Sequence, residues 1–190
     1  MIGLLGGSFD PIHHGHLLVA QAAVEALGLE ELRFVPAREQ PFKQGRHSAT
    51  AADRARMVEL AIAGEPRFRV EPLELERPGP SYTVDTLRAL RAREPGAAFT
   101  LLIGADTAAE LELWREASAL PSLARIVAFA RAGTPAPPSA LVAETITVPS
   151  LDISATAIRG RVAAGRSIRF WVPERVAEYV AAQGLYRNGE

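Results

Sequence analysis

Gly6-Gly7-Ser8-Phe9-Asp10-Pro11-Ile12-His13-His14-Gly15-His16 is the stretch on which the reading of this chain turns. It follows Ile2 to Leu5, a short apolar run that reads as a strand, and precedes Leu17 to Leu27, which reads as a helix closed by Gly28. The stretch is therefore the first strand-to-helix turn of an α/β unit, where such folds bind nucleotides. Its glycines let a phosphate approach bare backbone N–H groups. The helix behind it offers free N–H groups and the positive end of its dipole to an anion. His13 and His16, three residues apart, fall on one face of the first turn.

Other uses of such a turn are weaker. No Gly-Lys-Ser/Thr closes it, so it is not a P-loop, and the Gly-x-Gly-x-x-Gly of dinucleotide enzymes is absent. Asp10, His13, His14 and His16 are all metal-ligand types, but metal ligands are usually assembled from more than one element, and His47 is the only other histidine. No dedicated metal ligand is therefore assigned. A plain turn with solvated histidines is the remaining alternative, and glycines and histidines concentrated here argue against it.

At 190 residues and 48% hydrophobic, the chain is long enough for one domain with a real core, residues 1–190, whose C-terminal part from about 154 reads as helical. A formal net charge of -1 gives no general attraction to nucleic acid or to an anionic membrane. The first apolar run is too short to span a bilayer and lacks the basic start of a signal peptide, so the expected location is the cytoplasm. Absence of cysteine excludes disulfides and thiol catalysis. Lys43 is the sole lysine among 21 basic residues and Asn188 the sole asparagine, a usage that suits a thermophile but also a biased genome.

Strand and helix runs alternate along the chain, which predicts a Rossmann-like, doubly wound parallel sheet with helices on both faces, an α/β fold. Leu32 to Val35 is the second strand. The polar loop from Arg38 to Ser48 leaves it, with Lys43 as its compact cation. Thr50 has capping-box spacing to Asp53, and the helix from Asp53 to Ala63 points Met57, Leu60 and Ala61 at the core. Phe68 to Glu71 alternates like a strand. Arg77 to Thr83 is a stiff turn into a helix from Val84 to Arg93, with Ser81 or Thr83 as its cap. Phe99 to Ile103 suits a central strand that ends at Gly104-Ala105-Asp106, on the ligand edge. Asp106 is a helix N-cap or a ribose acceptor, and Trp114, after a short helix from Thr107, is core or a stacking platform.

Ile126 to Ala130 and Thr145 to Val148 complete the strands, and Thr134 to Ser139 is a proline-rich linker. Arg131, at the end of the fifth strand, is a further substrate-binding candidate. Ser154 is a good N-cap for the helix from Ala155 to Ala164. Arg159 and Arg161 read as standing near the positive end of that helix, a placement that a bound polyanion would relieve. Val172 to Val180 is a closing helix with Pro173 at its start and Gly184 beyond it.

The histidine stretch resembles the signature of the nucleotidylyltransferases that share a fold with class I aminoacyl-tRNA synthetases; His13-His14-Gly15-His16 matches their His-x-Gly-His element. Ile153-Ser154-Ala155-Thr156-Ala157-Ile158-Arg159 resembles their Ile-Ser-x-Thr-x-x-Arg motif, with Ala155 where serine is common. Pro41-Phe42-Lys43 stands where Pro-His-Lys is frequent, so a role for that histidine is unfilled. Within the superfamily, Gly79 to Leu87, Ile103 to Asp106 with Trp114, Ile153 to Arg159, and Val172-Pro173 leading to Gly184-Leu185-Tyr186 are similar to the bacterial nicotinate-nucleotide adenylyltransferases.

That resemblance implies transfer of the adenylyl group of ATP to nicotinate mononucleotide, with Mg²⁺ bound through the ATP phosphates. It implies that His13 and His16 stabilise the transferring phosphate, and that Arg159, with Lys43, holds the leaving group. Gly6, Gly7, Ser8, Phe9 and Gly15 would line the nucleotide, with Gly104, Asp106, Ile153, Ser154 and Thr156. Thr83 and Trp114 would receive the nicotinate ring and its carboxylate. Partners would be ATP and nicotinate mononucleotide, with no nucleic acid or membrane, and a homo-oligomer stays open. Two alternatives remain: a related adenylyltransferase using nicotinamide mononucleotide or a phosphopantetheine substrate, and a nucleotide-binding module without turnover.

Overall fold

Thr100 to Ile103 are all buried in the middle of the chain, and the structure shows why: their strand is flanked by others on both sides. The computed structural model describes residues 1–39, 48–131, 139–149 and 151–187, and not the side chain of Arg131. Lys43 and most of the proline-rich linker thus lie outside the described residues. The elements are β1 (Ile2–Gly7), α1 (His14–Leu27), β2 (Glu31–Pro36), α2 (Ala51–Ile62), β3 (Phe68–Val70), α3 (Leu73–Glu76), α4 (Thr83–Arg93), β4 (Phe99–Gly104), α5 (Ala105–Ala108), α6 (Leu120–Leu123), β5 (Arg125–Arg131), β6 (Glu144–Val148), α7 (Ala155–Ala163) and α8 (Glu174–Gln183). Two 3₁₀ turns, Leu111–Leu113 and Ala117–Ala119, stand between α5 and α6.

The six strands form one sheet in the order β3-β2-β1-β4-β5-β6, and every pairing is parallel. The chain winds outward from β1 to β3, returns to place β4 beside β1, and winds out to β6. The switch point therefore falls between β1 and β4. Pairing of β1 with β4 ends at Leu5 with Leu102, whereas β1 stays on β2 through Gly7 with Pro36, and β4 on β5 through Gly104 with Phe129. Past Leu5 and Leu102 the two central strands part, which opens a crevice at their carboxyl ends.

Successive residues of β1 serve opposite faces: Leu4 packs with Leu87, Leu90, Leu111 and Leu120, and Leu5 with Ile12, Val24, Met57 and Val176. Helices cover both faces of the sheet, as the alternating pattern predicts. Several boundaries differ. α2 begins at Ala51, because Thr50 caps it by accepting from the Asp53 N–H at 3.1 Å. α4 is capped at Tyr82 without a side-chain bond, since Thr83 is already helical and the Ser81 hydroxyl accepts instead from the Arg38 N–H at 3.1 Å. The helix expected from Thr107 to Leu113 is instead α5 and a 3₁₀ turn. Glu71 falls past the end of β3, buried against Arg93 and Arg33.

Candidate active site

β1 delivers its last residues to the crevice, and the turn that follows is tightly packed. Phe9 is 1% exposed and has φ +49°, a left-handed conformation unusual for a bulky residue. Its ring stands edge-on to His16 and to Phe34, at 5.2 and 5.7 Å between centroids. A Cβ on Gly7 would come within 2.9 Å of the Phe9 ring, so the close approach needs glycine there. Gly6, beside it, is exposed and has open space above it.

His13 is the residue just before α1, and its ring lies 3.8 Å from that of His16, tilted by 32°. A Cβ on Gly15 would sit 3.0 Å from the His13 ring. The His13 N–H donates to Nδ1 of His16 at 3.2 Å. That bond places the proton of a neutral His16 on Nε2. Nδ1 of His13 is buried with no partner among the described residues. Burial, and secondarily His14, holds the His13 imidazole down to about 4; burial, and secondarily His13, holds His16 down to about 3. Both rings are thus neutral near pH 7. The pair does not converge with Asp10 on a metal position, because that carboxylate is turned elsewhere. Among the described residues no group of three or more His, Asp or Glu could hold a metal ion.

Asp10 is 2% exposed. Its carboxylate accepts from the Ser48 N–H at 2.9 Å, the Ala49 N–H at 3.2 Å and the Tyr186 hydroxyl at 2.8 Å. Burial, then the Asp10 charge, pushes the Tyr186 phenol well above its usual value. Arg54, on α2, is 1% exposed; Nη1 donates to the Ser8 carbonyl at 2.7 Å and Nη2 to the Arg38 carbonyl at 3.2 Å. Burial lowers the pKa of Arg54, and the charges of Asp10 and Tyr186 oppose that shift.

Arg159, from α7, comes to the same turn. Its Nη1 donates to the main-chain oxygen of Asp10 at 2.8 Å and its Nη2 to Thr156 Oγ1 at 3.3 Å. Among the described residues its guanidinium makes no ion pair, and the two oxygens it bonds are neutral. Ser154 caps α7 by accepting from the Ala157 N–H at 3.1 Å, and Ile153 packs on the core. Arg161 differs from the expected placement at the positive end. It lies in the last turn of α7, bonds the Ser167 carbonyl at 2.9 Å and stacks over Trp171 at 4.7 Å.

Across the crevice, Gly104 precedes α5, and Asp106 is exposed inside its first turn. The N-cap reading of Asp106 is therefore corrected: Gly104 holds that position. Trp114 is half-buried and packs against the cluster that includes Leu87 and Leu111. Thr83 opens α4, and Arg115 lies 4.7 Å over the Tyr82 ring and 3.4 Å from Asp85. Behind this turn the buried Glu74 accepts from the Thr86 hydroxyl at 2.7 Å, and burial raises the pKa of Glu74.

Thus His13, His16, Gly7, Ser8, Phe9 and Arg159 gather at one turn, whereas Thr83 and Trp114 belong to the elements on the opposite face. Sequence reasoning missed Arg54, Tyr186 and the buried role of Asp10. A signal existed for Arg54: it stands three and four residues before Met57 and Val58, in the apolar stripe of α2, where a charge is out of place.

A model of the cytidylyltransferase-like family matches residues 4–161. A Thermus thermophilus protein named "Probable nicotinate-nucleotide adenylyltransferase" is 48% identical over 186 residues, covering 98% of this chain and 99% of its own. One of the same name from Gemmatimonas aurantiaca is 45% identical, covering 98% and 92%. Among solved structures, the Plasmodium falciparum nicotinic acid mononucleotide adenylyltransferase complexed with NaAD superposes with a TM-score of 0.78 at 20% identity, covering 97% of this chain and 96% of that one, a likeness of fold. No helix among the described residues is long and apolar enough to cross a membrane. On the residues matched and on identity over almost its whole length, the chain belongs to the cytidylyltransferase-like family and, within it, to the nicotinate-nucleotide adenylyltransferases.

Proposed function

We propose that the chain transfers the adenylyl group of ATP to nicotinate mononucleotide, giving nicotinate adenine dinucleotide and pyrophosphate. The observation that carries the mechanism is Arg159: a guanidinium held by two neutral oxygens beside the histidine turn, with no ion pair among the described residues. A phosphate oxygen of nicotinate mononucleotide attacks the α-phosphorus of ATP. The new P–O bond forms as the bond to the bridging oxygen breaks, and the electron pair leaves with pyrophosphate. The nucleophile is already ionised, so no general base is required. What the site supplies is in-line placement and complementary charge.

His16 Nε2–H is the donor toward the transferring phosphate, fixed in that tautomer by the His13 N–H. Gly6, Gly7 and Ser8 bring main chain to the triphosphate, with Phe9 and Gly15 shaping the turn, and Arg159 and Lys43 meet the departing pyrophosphate. Gly104, Asp106, Ile153, Ser154 and Thr156 border the adenosine half. Thr83 and Trp114 border the nicotinate, whose carboxylate suits the free N–H groups at the start of α4, with Arg131 as a further substrate-binding candidate. With no three-carboxylate cluster among the described residues, Mg²⁺ fits best as an ion carried on the phosphates, near the exposed Asp106. When bound it offsets phosphate charge.

The test is pyrophosphate release from Mg·ATP with nicotinate mononucleotide or with nicotinamide mononucleotide. Strong release with the acid and little with the amide is expected. Preference for the amide would overturn the ring assignment, and silence with both would overturn the reaction.

A further inference from the structure

Arg54 and Asp10 are among the most deeply buried charged residues described, and neither fits a simple packing role. A methionine at position 54 would continue the apolar stripe of Met57 and Val58, and buried charges seldom stabilise a fold relative to apolar residues of similar size. Yet the guanidinium is kept, with Nε lacking any partner among the described residues. Its two Nη atoms grip the carbonyls of Ser8 and Arg38, 46 and 16 residues away in sequence. The adjoining Asp10 collects donors from Ser48, Ala49 and Tyr186, and lends its own main-chain oxygen to Arg159, 149 residues away. Five segments of the phosphate side thus meet on these two residues: the turn after β1, the chain after β2, the start of α2, α7, and the chain after α8.

We propose that Arg54 and Asp10 form a buried positioning hub for the phosphate site. The hub holds the Ser8 peptide and the left-handed Phe9 in the shape that receives the triphosphate, and it sets Arg159 against that turn. Neither residue touches substrate. The arginine fork matters because it bridges two carbonyls at fixed spacing, which a lysine of equal charge cannot do. This proposal rests on the adenylyl-transfer reading of the site.

The experiment compares the full chain with Arg54→Lys, which keeps the charge beside Asp10 but loses the fork. At least a tenfold fall in kcat/KM for ATP is expected, with KM for nicotinate mononucleotide within twofold and the melting midpoint within a few degrees of the unmodified chain. Unchanged kcat/KM for ATP overturns the hub. So does a joint rise of both KM values with a lower melting midpoint, which marks general loosening. Should Arg54→Lys not fold, Tyr186→Phe removes a single hydroxyl from the same carboxylate. A several-fold lower kcat/KM for ATP at unchanged melting supports the hub, and an unchanged value overturns it. An unmodified chain silent with nicotinate mononucleotide fails the substrate reading alone. Calorimetric ATP affinity then decides: tenfold weaker binding in the variant is expected, and equal affinity overturns the hub.

Discussion

The turn after β1 and the region around α4 and Trp114 are held in different ways. At the turn, Asp10, His13 and Arg54 are buried, and their partners come from α2, α7 and the end of the chain. Between α4 and the chain just after Trp114, the ion pairs are exposed: Arg115 with Asp85 and Arg88 with Glu116. Such surface pairs are weak and screened by salt. The contrast matches the chemistry proposed for each end. Phosphoryl transfer is accelerated by groups that are already in place when charge moves. Recognition of a flat ring asks for an apolar platform and a few N–H donors, and tolerates looser surroundings.

Variants should divide by end. The largest effect is expected for His16→Ala, with turnover lower by about a hundredfold or more and the fold intact. Near-normal turnover in a folded variant would break the comparison at its strongest point. Next, Gly15→Ala places a methyl 3.0 Å from the His13 ring, and turnover is expected to fall by about tenfold as the histidine pair is displaced. Trp114→Ala should weaken nicotinate-nucleotide binding by about tenfold, roughly 1.4 kcal/mol, with ATP affinity spared. Equal loss of both, measured by calorimetry, would make Trp114 a core residue and blur the two ends.

The pH dependence sharpens the same point. His13 and His16 titrate near 4 and 3 in the folded chain, below the ordinary histidine value of about 6.5. The unfolded chain therefore binds more protons between those limits. The stability they contribute is whole above pH 6.5 and is lost as pH falls through 4 toward 3. His13→Asn should flatten part of that slope in melting curves taken across the range. An identical slope would show that the ring is not held neutral. In activity, kcat/KM should show no ionisation of His13 or His16 between pH 6 and 8. The smallest effect is expected for Arg88→Ala, with turnover unchanged and the melting midpoint moved by no more than about two degrees.

Much of this site can be traced in the sequence because its signals are local. Gly28 and Gly184 end their helices in the left-handed conformation, and Thr50 and Ser154 cap theirs, through contacts within a few residues. Local signals also misled. Ser81 and Thr83 have cap chemistry, but Ser81 binds Arg38, brought near by the sheet. Arg161 was expected beside a polyanion, and it lies a half-turn beyond Arg159, stacked on Trp171.

The sequence by itself determined the α/β alternation, the position of the first strand-to-helix turn and the pairing of His13 with His16, because those depend on periodicity, backbone freedom and three-residue spacing. Tertiary structure alone decided that β4 returns beside β1 and parts from it past Leu5 and Leu102. It also decided that burial lowers the pKa of His13 and His16, that Arg159 makes no ion pair among the described residues, and that Arg54, Asp10 and Tyr186 meet beneath the turn. Burial and hydrogen bonds between residues up to 176 positions apart exist only once the sheet has brought them together.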